Sequence, residues 1–398
     1  MVSRRGFLTS TATAAASAAV GLGVGAAAAT QVAANGSQTA TASRALVFEG
    51  PHPMGIETPI QAVTNMVAFD ILPGTTLKDM QRWMFLLTDD IRRMSSGEPV
   101  LADPAPELAI GAARFSAYVG FGPSLFRKLS IEERMPDGLI DLPGFSIDAL
   151  KDEFSGGDVL IHVAADDPVV LSHGVRNLVR DSLPFATVRW NQAGFAHTPG
   201  MVPEGVTHRN LMGQVDGTAN PALETDDFDD VVWVKDGPNW IKGGTLLVFR
   251  RIAMQLDTWD QLSSVGKGEV IGRDLKEGAP LTGSKESDLP DFEARSAAGL
   301  KVIPEFAHIR RASNSGEGER IFRRPFSYEM PISKEGSMDV GLLWCAYQAN
   351  IEKQYLPMQL RLAELDLLNR WTLPIGSATF AIPRGVSGDE VIAEGLFS

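Results

Sequence analysis

The sequence predicts an α+β fold. Short apolar segments of strand length alternate with two stretches of helical spacing before residue 223, in the order strand, helix, strands, helix, strand. That order suits an antiparallel sheet with helices on one face. The same alternation returns after residue 223. The one early Gly-x-Gly, Gly120-Phe121-Gly122-Pro123, is too short for the fingerprint of a parallel dinucleotide-binding sheet and lacks the acidic residue that should follow it.

Taken in order, Val67 to Ile71 reads as a strand, and Thr76 to Ser95 as a helix with Leu77, Met80, Trp83, Met84 and Leu87 on one face. Ala109-Ile110 and Phe115 to Val119 read as strands, Val159 to Ala164 as another, Pro168 to Asp181 as a helix and Ala186 to Trp190 as a strand. In the second half Leu246 to Met254 is a long strand, a helix starts within Thr258 to Ser264, and Met338 to Tyr347 is a strongly apolar strand. An amphipathic helix follows from Tyr355 to Trp371, and Ala378 to Ile382 is the last strand. These readings divide the chain into residues 1–42, outside the fold, a first domain 43–223 and a second domain 224–398.

Residues 1–42 carry only two charges, Arg4 and Arg5, inside Ser3-Arg4-Arg5-Gly6-Phe7-Leu8. This is a twin-arginine pattern, followed by a weakly apolar Ala/Gly/Val run and small residues at Ala27-Ala28-Ala29. Gly21, Gly23 and Gly25 make the run a poor membrane helix. The expectation is export of the folded protein by the twin-arginine machinery to a periplasmic, cell-surface or secreted location.

The whole chain has a net charge of −13, and loss of the two arginines takes it near −15. An acidic body disfavours nucleic acid and anionic membrane surfaces as partners. A single cysteine, Cys345, lies in an apolar run, so no disulfide framework and no cysteine metal cluster can form within one chain.

Two segments carry candidate chemistry. Asn210 to Pro221, N-L-M-G-Q-V-D-G-T-A-N-P, brackets Asp216 with Gly213 and Gly217 and reads as a stiff loop that presents an acid at the mouth of a pocket. By itself G-x-x-D-G is also an ordinary solvated turn. Phe306 to Tyr328 offers His308 among apolar neighbours, a Ser313-Asn314-Ser315 turn and the pair Arg323-Arg324 after Ile321-Phe322. A lone histidine of this kind is ordinarily structural, and an arginine pair is ordinarily a strand edge.

Together the two segments closely resemble the dye-decolourising peroxidases, a family of haem enzymes. The G-x-x-D-G loop continuing into T-A-N-P, the A-H-I-R histidine and the R-I-x-R-R arginine stand in the family's order and rough spacing. Phe115 to Phe126, Gly156 to Leu178, Gly243 to Met254, Gly278 to Gly283 and Gly341 to Gln348 extend the likeness over nearly all of the chain after residue 45.

The resemblance implies two ferredoxin-like domains with haem b in the second. His308 matches the proximal iron ligand, Asp216 the distal acid and Arg323 the distal arginine. Gly217, Thr218, Ala219, Ser313, Asn314 and Ser315 match positions along the haem edge and propionates, and Arg310 a propionate partner.

Where the family often has an acid that orients the proximal histidine, this chain has Asn350, a weaker acceptor; the carboxylate of Glu352 is the other candidate, and the partner stays open between the two. A distal aspartate would relay a proton between the two oxygens of hydrogen peroxide, and the arginine would stabilise the departing one. An aspartate must be ionised for that work, and the side chain ordinarily titrates near 4. Activity is therefore expected at acidic to mildly acidic pH, with a dye, phenol or other small molecule as reductant.

The alternative is an exported haem- or iron-handling protein that releases iron from haem in association with an iron-uptake system. Relatives are commonly homo-oligomers. His52, His162, His173 and His197 read as structural, as does His208, although it lies close enough to the acid loop to reach a propionate. Trp344 and Tyr347 read as core. Asp166, Asp167, Asp226, Asp227, Asp229 and Asp230 read as solvated loop charge.

Overall fold

Four strands of the first half are assembled by two long amphipathic helices. In this computed structural model β1 (Val63–Ile71) leads into α1 (Leu77–Ser96), then β2 (Ser116–Phe121), α2 (Pro123–Leu129), β3 (Val159–Ala165), α3 (Pro168–Ser182) and β4 (Ala186–Phe195). The structure describes residues 44–109, 111–203, 206–313, 318–334, 336 and 338–398. The export motif lies outside them, as do Ile110, Asn314 and Ser315.

α1 starts where Thr76 and Asp79 cap one another, Asp79 N donating to Thr76 Oγ1 at 3.3 Å and Thr76 N to the Asp79 carboxylate at 2.9 Å. It ends at Gly97, whose φ of 81° a side chain would strain. Met80, Trp83, Met84, Leu87 and Ile91 recur on one face and are buried against the sheet. Each such side chain contributes about 1.5–3 kcal/mol when taken from water. α3 begins at Asp167, which accepts from the amides of Val169 and Val170.

The second half follows with α4 (Asp226–Val232), β5 (Thr245–Met254), α5 (Leu256–Trp259), α6 (Ser264–Ile271), α7 (His308–Ala312), β6 (Phe322–Arg323), β7 (Phe326–Glu329), β8 (Val340–Gln348), α8 (Leu356–Leu365) and β9 (Thr372–Ile382). All named pairings are antiparallel. The first half has strand order β4-β1-β3-β2, and the second β9-β5-β8-β7. Both are the four-stranded ferredoxin-like order, reached by the same strand–helix–strand–strand–helix–strand path. β2 meets β9 through Phe121 and Ala381, and β4 meets β7 through Phe195 and Ser327, so eight strands close into a ring.

Alternation along the strands sends one set of side chains to the helices and the other into the ring. Val67, Phe69, Val119, Ile161 and Val163 meet α1 and α3, whereas Met66, Tyr118, Trp190, Phe249 and Tyr347 fill the interior.

Several sequence expectations need correction. Ala109 closes a short 3₁₀ turn and is not in a strand. The helix expected within 258–264 is two pieces, α5 and α6. The helix expected from Tyr355 to Trp371 ends at Leu365, with Asp366 in extended backbone and a 3₁₀ turn after it. Asp166 is not solvated: it is buried in a two-point pair with Arg114, at 2.6 and 2.9 Å. Asp226, Asp227, Asp229 and Asp230 belong to the exposed side of α4, which Thr225 caps. Asp226, Asp227 and Asp229 stand in its first turn, near the positive end of that helix.

Candidate functional site

The acid loop is a hairpin-like turn whose shape comes from Asn210. Its Oδ1 accepts from the amides of Met212 (3.0 Å) and Gln214 (3.3 Å), an Asx arrangement, and Gly213 takes φ 80° behind it. Met212 is buried under Trp259, whose Nε1–H donates to its carbonyl at 3.0 Å. The Asp216 amide then donates to the His208 carbonyl at 2.8 Å, and Gly217 turns the chain away at φ 140°. Glu286 closes the loop from outside, its Oε1 accepting the hydroxyls of Thr207 at 2.6 Å and Thr218 at 2.8 Å.

β6 brings the arginine. Asn220 grips that strand by both backbone groups of Arg323, accepting from its amide at 3.0 Å and donating to its carbonyl at 2.7 Å. The Arg323 guanidinium then reaches Asp216 Oδ1 at 3.0 Å, with side chains 22% and 13% exposed. Register on β8 explains the direction. Arg323 lies opposite Ala346 on the face toward the helices, while Phe322 lies opposite Tyr347 inside the ring. Asp216, Gly217, Asn220, Arg323 and Leu342 line a cavity of about 320 Å³.

His308 opens α7. Its Nδ1 contacts Asp366 Oδ2 at 2.6 Å, and Asp366 is nearly buried, so the carboxylate fixes Nδ1 as the protonated nitrogen and leaves Nε2 with a free lone pair. Burial works to lower the imidazole's pKa, but the charge and hydrogen bond of Asp366 outweigh it and the net shift is upward. Arg323 and Asp216 are near enough to act on the same ring electrostatically. The partner expected at Asn350 or Glu352 is thus Asp366. Asn350 instead caps the turn at 351–355 by accepting from Lys353 N at 2.9 Å. α8 ends further along, at Leu365, where Asp366 takes extended backbone and its carboxylate meets His308.

His308 keeps 29% of its side chain accessible, and neither α7 nor α8 contains a single buried residue, although they pack on one another. Leu342, Ile252, Ile309, Leu367 and Trp344 belong to an apolar cluster of the same half, built on Met254 and Trp259. A bare imidazole nitrogen whose other nitrogen is held by a carboxylate is a donor that a porphyrin iron can take.

The remaining expected residues fall as follows. Thr218 is bound to Glu286 and Ala219 is exposed. Ser313 Oγ donates to the Ile309 carbonyl at 2.6 Å. Arg310 spends its guanidinium on the carbonyls of Pro304, Phe292 and Ile303, at 3.1, 2.5 and 2.7 Å, which places it in the framework of its own loop. His208 lines the cavity and stacks on His197 at 5.5 Å. Sequence reasoning missed Asp366, Asn220 as the clamp on Arg323, and Glu286. A carboxylate set among Leu362, Leu365, Leu367 and Leu368 was the one available signal for Asp366. Among the described residues no group of three or more His, Cys, Asp or Glu could hold a bare metal ion.

Comparison with known proteins covers both halves. The Dyp-type peroxidase N-terminal model matches residues 53–196 and the C-terminal model residues 207–387. A dye-decolorizing peroxidase of Thermobifida fusca is 37% identical over 361 residues, 87% of this chain and 84% of that protein. The deferrochelatase of Escherichia coli K12 is 32% identical over 358 residues, 85% and 84%. Among solved structures, a DyP-type peroxidase from Cellulomonas bogoriensis superposes with a TM-score of 0.87 at 43% identity, covering 90% of this chain and 99% of that one. Ferric DtpA from Streptomyces lividans gives 0.86 at 37%, covering 90% and 98%.

Proposed function

The chain belongs to the Dyp-type peroxidase family, and from that membership we propose a haem peroxidase that reduces hydrogen peroxide and draws electrons from a dye, phenol or similar small molecule. The observation that carries the residue assignment is the meeting of Asp216 and Arg323 at 3.0 Å, close enough to the Asp366-anchored His308 for both charges to act on its ring. When bound, haem supplies a redox iron that receives peroxide and keeps its oxidising equivalents.

The protein's own share of the work is binding and proton handling. His308 Nε2 would hold the iron, and Asp366, by accepting from Nδ1–H, makes the imidazole more electron-rich. Asp216 would accept a proton from one oxygen of hydrogen peroxide and deliver it to the other. Arg323, always charged, steadies the negative charge on the departing oxygen and holds the Asp216 carboxylate in place.

Substituting Asp216→Asn or Arg323→Leu should cut peroxide turnover by roughly 10²–10³-fold while haem absorption is retained. The likeness to a deferrochelatase favours a second reading, release of iron from haem held by the same His308. In that case both variants keep their release activity and peroxide turnover is incidental. Turnover unchanged in both variants would contradict the peroxidase reading.

A further inference from the structure

Small barrel interiors are filled with apolar side chains, yet this ring encloses a chain of polar groups running from one half to the other. Tyr118 on β2, His162 on β3 and Thr64 on β1 come from the first half, and Tyr347 on β8 from the second; all four are buried. Tyr118 and Tyr347 share a hydrogen bond of 2.6 Å between hydroxyls, His162 Nδ1 contacts the Tyr118 hydroxyl, and His162 Nε2 lies 2.6 Å from Thr64 Oγ1.

The protons in this chain can be assigned. Thr64 has one hydroxyl proton, and it goes to the Val163 carbonyl at 2.8 Å. Thr64 Oγ1 must then accept from His162, so Nε2 carries the ring proton and Nδ1 is a bare acceptor. Tyr118 donates to Nδ1. Its own proton being used, Tyr118 receives the hydroxyl of Tyr347. The chain therefore points one way, from Tyr347 through Tyr118 to a neutral imidazole.

Its outer end lies beside the reactive site. Tyr347 follows Ala346, the residue opposite Arg323, and its ring is 6.2 Å from that of Phe322, which lines the cavity of Asp216 and Arg323. One pleat of the sheet separates the two. We propose that Tyr118, hydrogen-bonded to His162, is a buried one-electron redox site that takes up oxidising equivalents left in the haem pocket by peroxide, through Tyr347.

The step balances within the chain. One electron leaves the Tyr118 phenol and cancels one of the two oxidising equivalents that hydrogen peroxide supplies. The Oη–H bond breaks and its proton moves to His162 Nδ1, giving a neutral phenoxyl radical beside an imidazolium. An electron from the external reductant and return of that proton restore the phenol.

Burial, with the Arg324 cation adding to it, lowers the His162 pKa to about 3, so the acceptor is bare at every working pH and gives its proton back readily. Burial also pushes the phenols upward and holds the neighbouring Cys345 thiol at about 12, so no thiolate competes as electron donor. Arg324 itself is held by Gln61 and the Thr58 carbonyl and stays cationic, which favours a neutral radical over a radical cation.

This inference rests on the peroxidase reading, and one experiment separates their failures. Haem-loaded protein is mixed with peroxide without reductant, followed by absorption and by electron paramagnetic resonance, using ring-deuterated tyrosine to mark tyrosyl signals. A haem band that peroxide does not change overturns the peroxidase reading and with it this inference. A changed band with no tyrosyl signal overturns the inference alone.

The expected result is a tyrosyl signal that is absent in Tyr118→Phe and that shifts its g-tensor in Tyr347→Phe, where the radical loses its hydrogen-bond donor. A signal that persists in Tyr118→Phe overturns the proposal. Should that variant fail to fold, Tyr347→Phe decides, because an unshifted signal there also overturns it.

Discussion

The two halves of this protein trace the same path through the same four-stranded order, and they treat the space over the sheet in opposite ways. In the first half the crossover from β1 to β2 carries one unbroken helix, α1, which buries Met80, Trp83, Met84, Leu87 and Ile91. In the second half the matching crossover, residues 255–321, is broken into α5, α6 and α7, and the last of these buries nothing. The second crossover repeats the contrast. α3 buries Val170, Leu171, Leu178 and others, whereas α8 buries none and stops at Asp366. Continuous helices seal a sheet face; the interrupted ones bury no residue of α7 or α8 and set His308 against Asp366.

The contrast can be broken first on the sealed side. Trp83 is fully buried, stacked on Phe185 at 5.8 Å, with its Nε1–H on Ser182 Oγ at 3.0 Å. Trp83→Ala should cost about 3–5 kcal/mol of stability, read by denaturant unfolding, and leave the haem spectrum of the surviving folded protein unchanged. A variant that loses haem before it loses stability would show that the halves are not separable in this way.

On the open side the effect is smaller in stability and larger in the site. Asp366→Asn removes the charge from the His308 pair and should destabilise the haem-free protein by roughly 2 kcal/mol. His308 has its folded pKa raised, so the pair's added stability is complete below the unfolded value of 6.5 and fades as pH rises through the folded one. The gap between wild type and variant should therefore be widest at mildly acidic pH and narrow above neutrality. A gap that widens with alkalinity would contradict the assignment of Nδ1 as donor.

The ring interior between the halves gives an effect that grows with acidity. His162, held neutral with a pKa of about 3, binds its proton only when the chain unfolds. Below pH 6.5 the unfolded state holds one more proton, so stability falls on acidification, by about 1.4 kcal/mol per pH unit from this residue. His162→Gln should flatten the acid limb of the stability curve by that slope, measured by unfolding between pH 6 and 4. An unaltered slope would mean that the imidazole is already charged in the folded protein.

How much of this was legible beforehand divides along the same line. α1, β3, α3, β5 and β8 were readable because their apolar residues recur at helical or strand period and nothing interrupts them. α7 was not, since five residues cannot display a period, and β6 and β7 are separated by Arg324-Pro325. The end of α8 was overrun because leucines continue to Leu368 in good helical phase; what stops the helix is an acceptor bond to a histidine 58 residues away. Asp216 and Arg323 were identifiable through family resemblance, while their pairing depends on Asn210 and Asn220, whose roles appear only in three dimensions. The polar chain Tyr347–Tyr118–His162 gave no sign, because each member occupies an apolar strand and reads as core.

The account stands on His308 as the residue that holds iron, and its most direct test is the absorption spectrum of purified His308→Ala beside the wild type. The wild type should show an intense porphyrin band that changes on adding hydrogen peroxide; the variant should lose the band or shift it, and added imidazole should restore it. A His308→Ala protein with the wild-type spectrum and the wild-type response to peroxide would place the iron ligand elsewhere.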